Sequence, residues 1–113
     1  MLSSDVQTAI AASRAVVRPR FPWWLRPFLL PGVLAITIGR RIYLAAGTAD
    51  DQLEALLRHE LVHVRQIARL GFFRFYWLWL AEYISLRRRG FTSAEAYRRI
   101  SFETEAFAAE KTL

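Results

Sequence analysis

The chemistry available to this chain is concentrated in one short run, Arg58-His59-Glu60-Leu61-Val62-His63-Val64-Arg65-Gln66. It holds both histidines of the 113-residue sequence, four positions apart, with a glutamate directly after the first. On a helix, residues four apart stand one turn above each other on the same face. Two imidazoles placed in this way can grip one tetrahedral Zn²⁺, and the glutamate can take a proton from a water that the metal activates. This is the H-E-x-x-H pattern of zinc peptidases. The competing reading is a pair of histidines satisfied at the edge of a core, beside a glutamate that snorkels to solvent. The neighbouring residues favour the metal. At about 100° per residue, Leu53, Leu56, Leu57, Leu61, Val64, Ile67 and Ala68 form one apolar stripe. His59 and His63 lie along one edge of it, with Gln66 further round, and Glu60 falls inside it. A carboxylate among leucines costs several kcal/mol without a partner, so that position must open onto a polar cleft.

A catalytic zinc needs a third protein ligand and an open position. No histidine or cysteine remains to supply the ligand, so it must be a carboxylate, and Glu82, Glu95, Glu103, Glu105 and Glu110 are the candidates after the motif. Glu95 has the spacing of a helix cap. Glu103 shares a helical stripe with Ala96, Ile100 and Phe107, whereas Glu105 points with Arg98 and Ser101 toward the polar side. Periodicity therefore favours Glu103 over Glu105. Tyr97, and behind it Tyr83, could donate a hydrogen bond to a developing oxyanion, although a place in the core is the commoner one for either side chain.

His59-Glu60-Leu61-Val62-His63, followed some forty positions later by Phe102-Glu103-Thr104-Glu105-Ala106, resembles the gluzincin arrangement. It is similar to small bacterial zincin-like proteins in which a strand pair, the H-E-x-x-H helix and a late helix form a minimal peptidase core. The resemblance covers about residues 33–109 and implies that His59, His63 and Glu103 bind zinc, with Glu60 as the base. Phe107 stands where many gluzincins carry an aspartate four positions after the glutamate ligand, so the resemblance supplies no residue to orient His59 or His63.

These side chains need elements to hold them. Residues from Ser3 or Ser4 to Val17 read as a short helix capped by Ser4 or Asp5. Residues 18–31 contain four prolines, which exclude a continuous helix. The aromatics of this segment imply either irregular packing over the core or an interfacial membrane anchor, with Arg18, Arg20 and Arg26 beside Trp23 and Trp24. Residues 33–38 and 41–45 alternate around Gly39-Arg40 and predict a β-hairpin, with Leu34, Ile36 and Ile38 on one face and Ala35 and Thr37 on the other. Thr48-Ala49-Asp50-Asp51 has capping-box spacing and opens the motif helix, which Gly71 stops after Leu70. Residues 72–88 predict a second helix, apolar nearly all round, and too short and too charged to span a bilayer. It is either central to the fold or laid against a membrane or partner. Thr92-Ser93-Ala94-Glu95 begins a last helix that runs to about Glu110.

The totals bound the rest. A length of 113 residues suits one domain, made of an N-terminal part over 1–31 and a zincin-like core over 33–110. The absence of cysteine excludes disulfides and thiol catalysis. A net charge of +6 suits anionic partners, but no pairing of basic and aromatic residues marks a nucleic-acid fold. The start of the chain makes a poor secretory signal, which implies a cytoplasmic protein, with association to a membrane surface left open. The expected fold is therefore α+β and mainly helical: a minimal zincin-like core with a β-hairpin packed on about four helices. The expected function is that of a metallopeptidase with one Zn²⁺, acting on polypeptide. The hairpin's free edge could hold that substrate as an added strand. Two alternatives stand beside it: a zinc-binding protein without hydrolysis, serving a hydrophobic protein partner, and a basic membrane-surface module with a chance motif.

Overall fold

The computed structural model describes residues 2–25, 27, 33–45, 47–48 and 50–110, without the side chains of Asp50 and Asp51. The fold is α+β and mainly helical. In chain order the elements are α1 (Ser4–Ser13), β1 (Val16–Arg18), β2 (Ala35–Ile38), β3 (Arg41–Leu44), α2 (Asp50–Leu70), α3 (Phe72–Arg88), α4 (Ser93–Arg99) and α5 (Ser101–Ala109). The three strands form one sheet in the order β1-β3-β2, with β1 parallel and β2 antiparallel to the central β3.

The N-terminal helix is shorter than its periodicity suggests. Its cap is Ser3, not Ser4 or Asp5, and the Ser3 hydroxyl accepts from the backbone of Val6. It ends at Arg14, which takes a left-handed conformation with φ of 54° and donates its backbone N–H to Ala11 and Ile10. Val16 and Val17, assigned to this helix by the sequence reading, instead pair with Arg41 and Ile42 as β1. Branching at Cβ suits these two valines to the pleated sheet. The predicted hairpin forms, with Gly39 at φ of 64° in its turn, and gains a third strand from upstream.

The inward face of the hairpin carries Ala35, Thr37, Ile42 and Leu44, because the register sets Thr37 opposite Ile42 and Ala35 opposite Leu44. Against it lies α2, whose Leu57, Leu61 and Val64 are buried with Ile42, Leu44 and Val6 of α1. Each of these aliphatic side chains contributes roughly 1.5–3 kcal/mol by leaving water. The predicted apolar stripe of α2 is inward along most of its length, but Ala68 at its end is exposed. Gly71, with φ of 96°, stops the helix and donates to the Ile67 carbonyl. Thr48 donates its hydroxyl to the Ala45 carbonyl, and the remainder of the proposed capping box at 49–51 lies outside the described side chains.

The helix α3 has the predicted bounds but not a central position. Phe75 and Leu86 are buried, while Phe73, Trp77, Leu80 and Ile84 are exposed. Tyr76 fastens the helix to the hairpin turn by donating to the Thr37 carbonyl (2.9 Å) and accepting from the Gly39 amide (3.2 Å). The Thr92–Glu95 capping box is present. The predicted last helix, however, is two. At Ile100 the backbone turns extended (φ −59°, ψ 129°), with the Ile100 side chain fully buried against Leu86 and Ala96. Isoleucine cannot cap α5, and Glu82 of α3 does so from outside: its carboxylate accepts from the Ser101 amide and the Ser101 hydroxyl, both at 2.9 Å. The described residues thus hold five helices where the sequence suggested about four. In the proline-rich segment Leu25 is buried, Trp23 and Trp24 are exposed, and Arg26 and residues 28–32 lie outside the described residues.

Candidate metal centre

Two adjacent turns of α2 present His59 and His63 to α5, which packs across them. Glu103 stands in the first turn of α5, directed inward by the buried Ala106 one turn on. The Nε2 of His59 lies 2.8 Å from Oε1 of Glu103. The Nε2 of His63 lies 3.1 Å from Oε1 and 3.1 Å from Oε2 of the same carboxylate. All three residues are buried, as is Glu60, with exposures of 3–6%. Glu105, the rival carboxylate, is exposed and accepts from Gln66 Nε2. Glu82 and Glu95, two of the other candidates, are occupied as helix caps.

The other nitrogen of each ring is also held. Gln66 Nε2 donates to the Phe102 carbonyl (3.1 Å) and to Glu105, which turns Gln66 Oε1 toward His63 Nδ1 at 2.9 Å. His59 Nδ1 lies 2.9 Å from Oε2 of Glu110, the last of the candidate carboxylates. Acceptors on both Nδ1 atoms place a proton there and turn the Nε2 lone pair toward any cation between the rings. Phe107 packs edge-on to His59 with ring centroids 4.6 Å apart. It fills the place where the gluzincin pattern puts an aspartate, and Glu110, one turn later, supplies the orienting carboxylate. Trp79 of α3 donates its indole N–H to Glu103 Oε2 at 2.8 Å.

Burial alone would disfavour imidazolium at both histidines, yet the hydrogen bonds they donate to Glu103, the charge of Glu60 and the acceptors on Nδ1 outweigh it and raise both above the usual histidine value. Burial likewise opposes the Glu103 carboxylate, but hydrogen bonds from His59, His63 and Trp79 reverse this and hold it well below the ordinary range. Glu60 is raised, chiefly by burial, against the pull of His63 and of the Thr37 hydroxyl. That hydroxyl donates to Glu60 Oε2 at 2.6 Å and provides the polar partner that a carboxylate in an apolar stripe requires. Tyr97 faces the same centre, its phenol held neutral first by burial and then by the Glu103 carboxylate. Tyr83 does not; its hydroxyl meets Ser93 at 2.9 Å and its ring stacks on Trp79.

His59, His63 and Glu103 offer three ligand atoms within 4.8 Å of one another, a buried group that could bind a metal ion. Two neutral imidazole nitrogens and a carboxylate oxygen are a donor set suited to Zn²⁺. Ligand atoms on a tetrahedron with metal bonds of about 2.0–2.1 Å stand roughly 3.3 Å apart. The two contacts between nitrogen and oxygen, at 2.8 and 3.1 Å, lie a few tenths of an ångström inside that separation.

The supporting roles of Gln66, Trp79, Glu110 and Thr37 emerge only in the folded chain. The position of Gln66, three residues after His63 on the same helix, was a usable signal. The other three arrive from elements distant in sequence, and no local pattern points to them.

A family model described as the eCIS core domain matches residues 31–70, about a third of the chain. That family is associated with zincin-like, metallopeptidase-like domains. The match spans the hairpin and α2, including His59, Glu60 and His63, and stops before Glu103. No curated protein and no solved structure matches the chain.

Proposed function

We propose that this protein is a zinc-dependent metallopeptidase of gluzincin type, with His59, His63 and Glu103 as the metal ligands and Glu60 as general base. The observation that carries this reading is the convergence of both Nε2 atoms on one Glu103 carboxylate, 44 and 40 residues away in sequence. A chance H-E-x-x-H match has no reason to meet such a partner. Zn²⁺ at this position supplies Lewis acidity, which polarises a peptide carbonyl and makes water nucleophilic near neutral pH. Gln66 and Glu110 keep both rings in the Nδ1–H tautomer, and Trp79 keeps the Glu103 carboxylate in place. Glu60 takes a proton from the attacking water and passes it to the departing nitrogen; burial, by raising its affinity for that proton, suits it to the task. Tyr97, neutral and beside Glu103, is the candidate donor to the developing oxyanion. β2 is an edge strand whose Thr37 holds the base; Tyr76 already takes the outward Thr37 carbonyl, so a polypeptide added to this edge would pair at Ala35, one outward position before the base's partner.

One observation favours a second reading, a metal site without hydrolysis: His59, Glu60, His63 and Glu103 are all at 6% exposure or less. One comparison separates the two. Purified protein is expected to carry close to one zinc and to cleave an unfolded polypeptide such as reduced casein. Glu60→Gln is expected to keep the metal and lose at least about 100-fold in rate. Metal retained by both proteins with cleavage by neither selects the second reading, and equal cleavage by parent and variant removes Glu60 as the base.

A further inference from the structure

The outward side of α3 is not used by the metal centre. With 3.6 residues per turn, Phe73, Trp77, Leu80 and Ile84 fall within about 60° of one another along the helix. They form a stripe about 17 Å long that the described residues leave exposed. Phe73 is 83% and Trp77 69% exposed, in contrast to Phe75 and Leu86, which are buried on the opposite side of the same helix. The stripe ends between Arg87 and Arg88, which flank it one turn beyond Ile84, and Arg74 borders its start. The only acidic residue of this helix, Glu82, is turned inward to cap α5. The face is therefore apolar along its centre, cationic at its margins and free of carboxylates.

We infer that this face docks α3 flat on an anionic lipid surface. The distribution of charge selects the occupant. Aromatic and aliphatic side chains enter the boundary between headgroups and acyl chains, while arginines at the margin meet lipid phosphates. Arg88 is exposed, and neither an ion pair nor a ring contact engages its guanidinium among those described. A second copy of the chain fits less well. An aromatic side chain presents at most roughly 250 Å², and Leu80 and Ile84 are each less than half exposed. The stripe thus falls well short of the roughly 800 Å² that each partner buries in a stable dimer. The helix lies on the surface and does not cross it, since no helix among the described residues is long and apolar enough to span a membrane. This inference does not rest on the peptidase reading.

The test is co-sedimentation of the full-length protein with vesicles of phosphatidylcholine alone or mixed with phosphatidylserine. Binding is expected to be at least about tenfold stronger on the mixed vesicles and to weaken as salt screens the arginines. The double variant Phe73→Ser/Trp77→Ser replaces exposed side chains only. It is expected to keep its circular dichroism and its thermal unfolding transition while losing at least about tenfold in vesicle binding. Arg88→Glu, which leaves the apolar stripe intact, is expected to lose about fivefold or more on mixed vesicles alone. Failure of the parent to bind mixed vesicles overturns the inference. So does equal binding by the double variant, which would move the contact to another surface such as Trp23 and Trp24. A parent dimer in solution that the double variant dissociates would assign the face to a second copy instead.

Discussion

Each histidine of the centre has both ring nitrogens engaged, Nε2 by Glu103 and Nδ1 by Gln66 or Glu110. This determines how the site responds to mutation and to pH. Gln66→Leu keeps the helix and its packing volume but removes the acceptor that selects the tautomer of His63. Zinc affinity is expected to fall roughly 10- to 100-fold in a competition titration with a chromophoric chelator. With a chelator present, pH acts through four groups of the centre. The Glu103 carboxyl is depressed in the fold, so its contribution to stability is complete above about pH 4.5 and is lost as pH falls through the lower folded value. The two imidazoles are raised, so theirs is complete below about pH 6.5 and is lost as pH rises through the folded values. Glu60, raised by burial, loses stability in the same alkaline direction. The chelated protein is therefore expected to be most stable between about pH 4.5 and 6.5, and excess zinc, which displaces protons from Nε2, to shift that optimum upward. Thermal denaturation across pH with and without zinc checks both statements. A chelated protein more stable at pH 8 than at pH 5.5 would contradict them.

Among the elements, α5 is the one whose placement decides whether the centre exists. α2 carries two of the proposed ligands and the proposed base, but α5 contributes Glu103 only because the chain turns extended at Ile100 and restarts at Ser101. Glu82 on α3 stabilises that restart from outside the helix. Glu82→Ala should therefore cost about 1 kcal/mol of stability, as loss of an N-cap does, measured by urea denaturation. It should also weaken zinc binding several-fold, although Glu82 touches no ligand. Glu95→Ala, which uncaps α4, is expected to leave zinc affinity nearly unchanged. α3 thus has two sides with separate tasks: inward, Trp79, Tyr76 and Glu82 brace the ligand, the hairpin turn and α5, while the outward side carries the apolar stripe.

For the whole molecule, the proposed metal would couple binding to folding. The three candidate ligands come from positions 59, 63 and 103, so the unfolded chain has no preformed site, and zinc held there would stabilise the folded state alone. At free zinc about 100 times Kd the gain is about 2.7 kcal/mol, a rise in Tm on the order of 10 °C for a chain of this size. The same zinc is expected to leave the Tm of His59→Ala almost unchanged, and differential scanning fluorimetry reads both. A zinc-induced rise in His59→Ala equal to that of the parent would place the metal elsewhere.

What lies within one helical repeat was determined by the sequence alone. The spacing of His59 and His63, the stripe that turns Glu60 inward, the glycine stop at Gly71, the bounds of α3 and the capping box at Thr92 all follow from side chains within a few residues of one another. The inward setting of Glu103 followed as well, since the residues around it keep their periodicity on either side of the break at Ile100. Tertiary structure decided the rest, because those outcomes depend on where separate elements pack. Val16 and Val17 joined a sheet only because β3 offered an edge, and Glu82 became a cap because α5 began beside it. Glu110 and Trp79 entered the metal centre, and Glu105 was turned away from it to Gln66, by the way α3 and α5 cross α2. A hydrogen bond spanning some forty residues is selected by that crossing, and no run of neighbouring side chains encodes it.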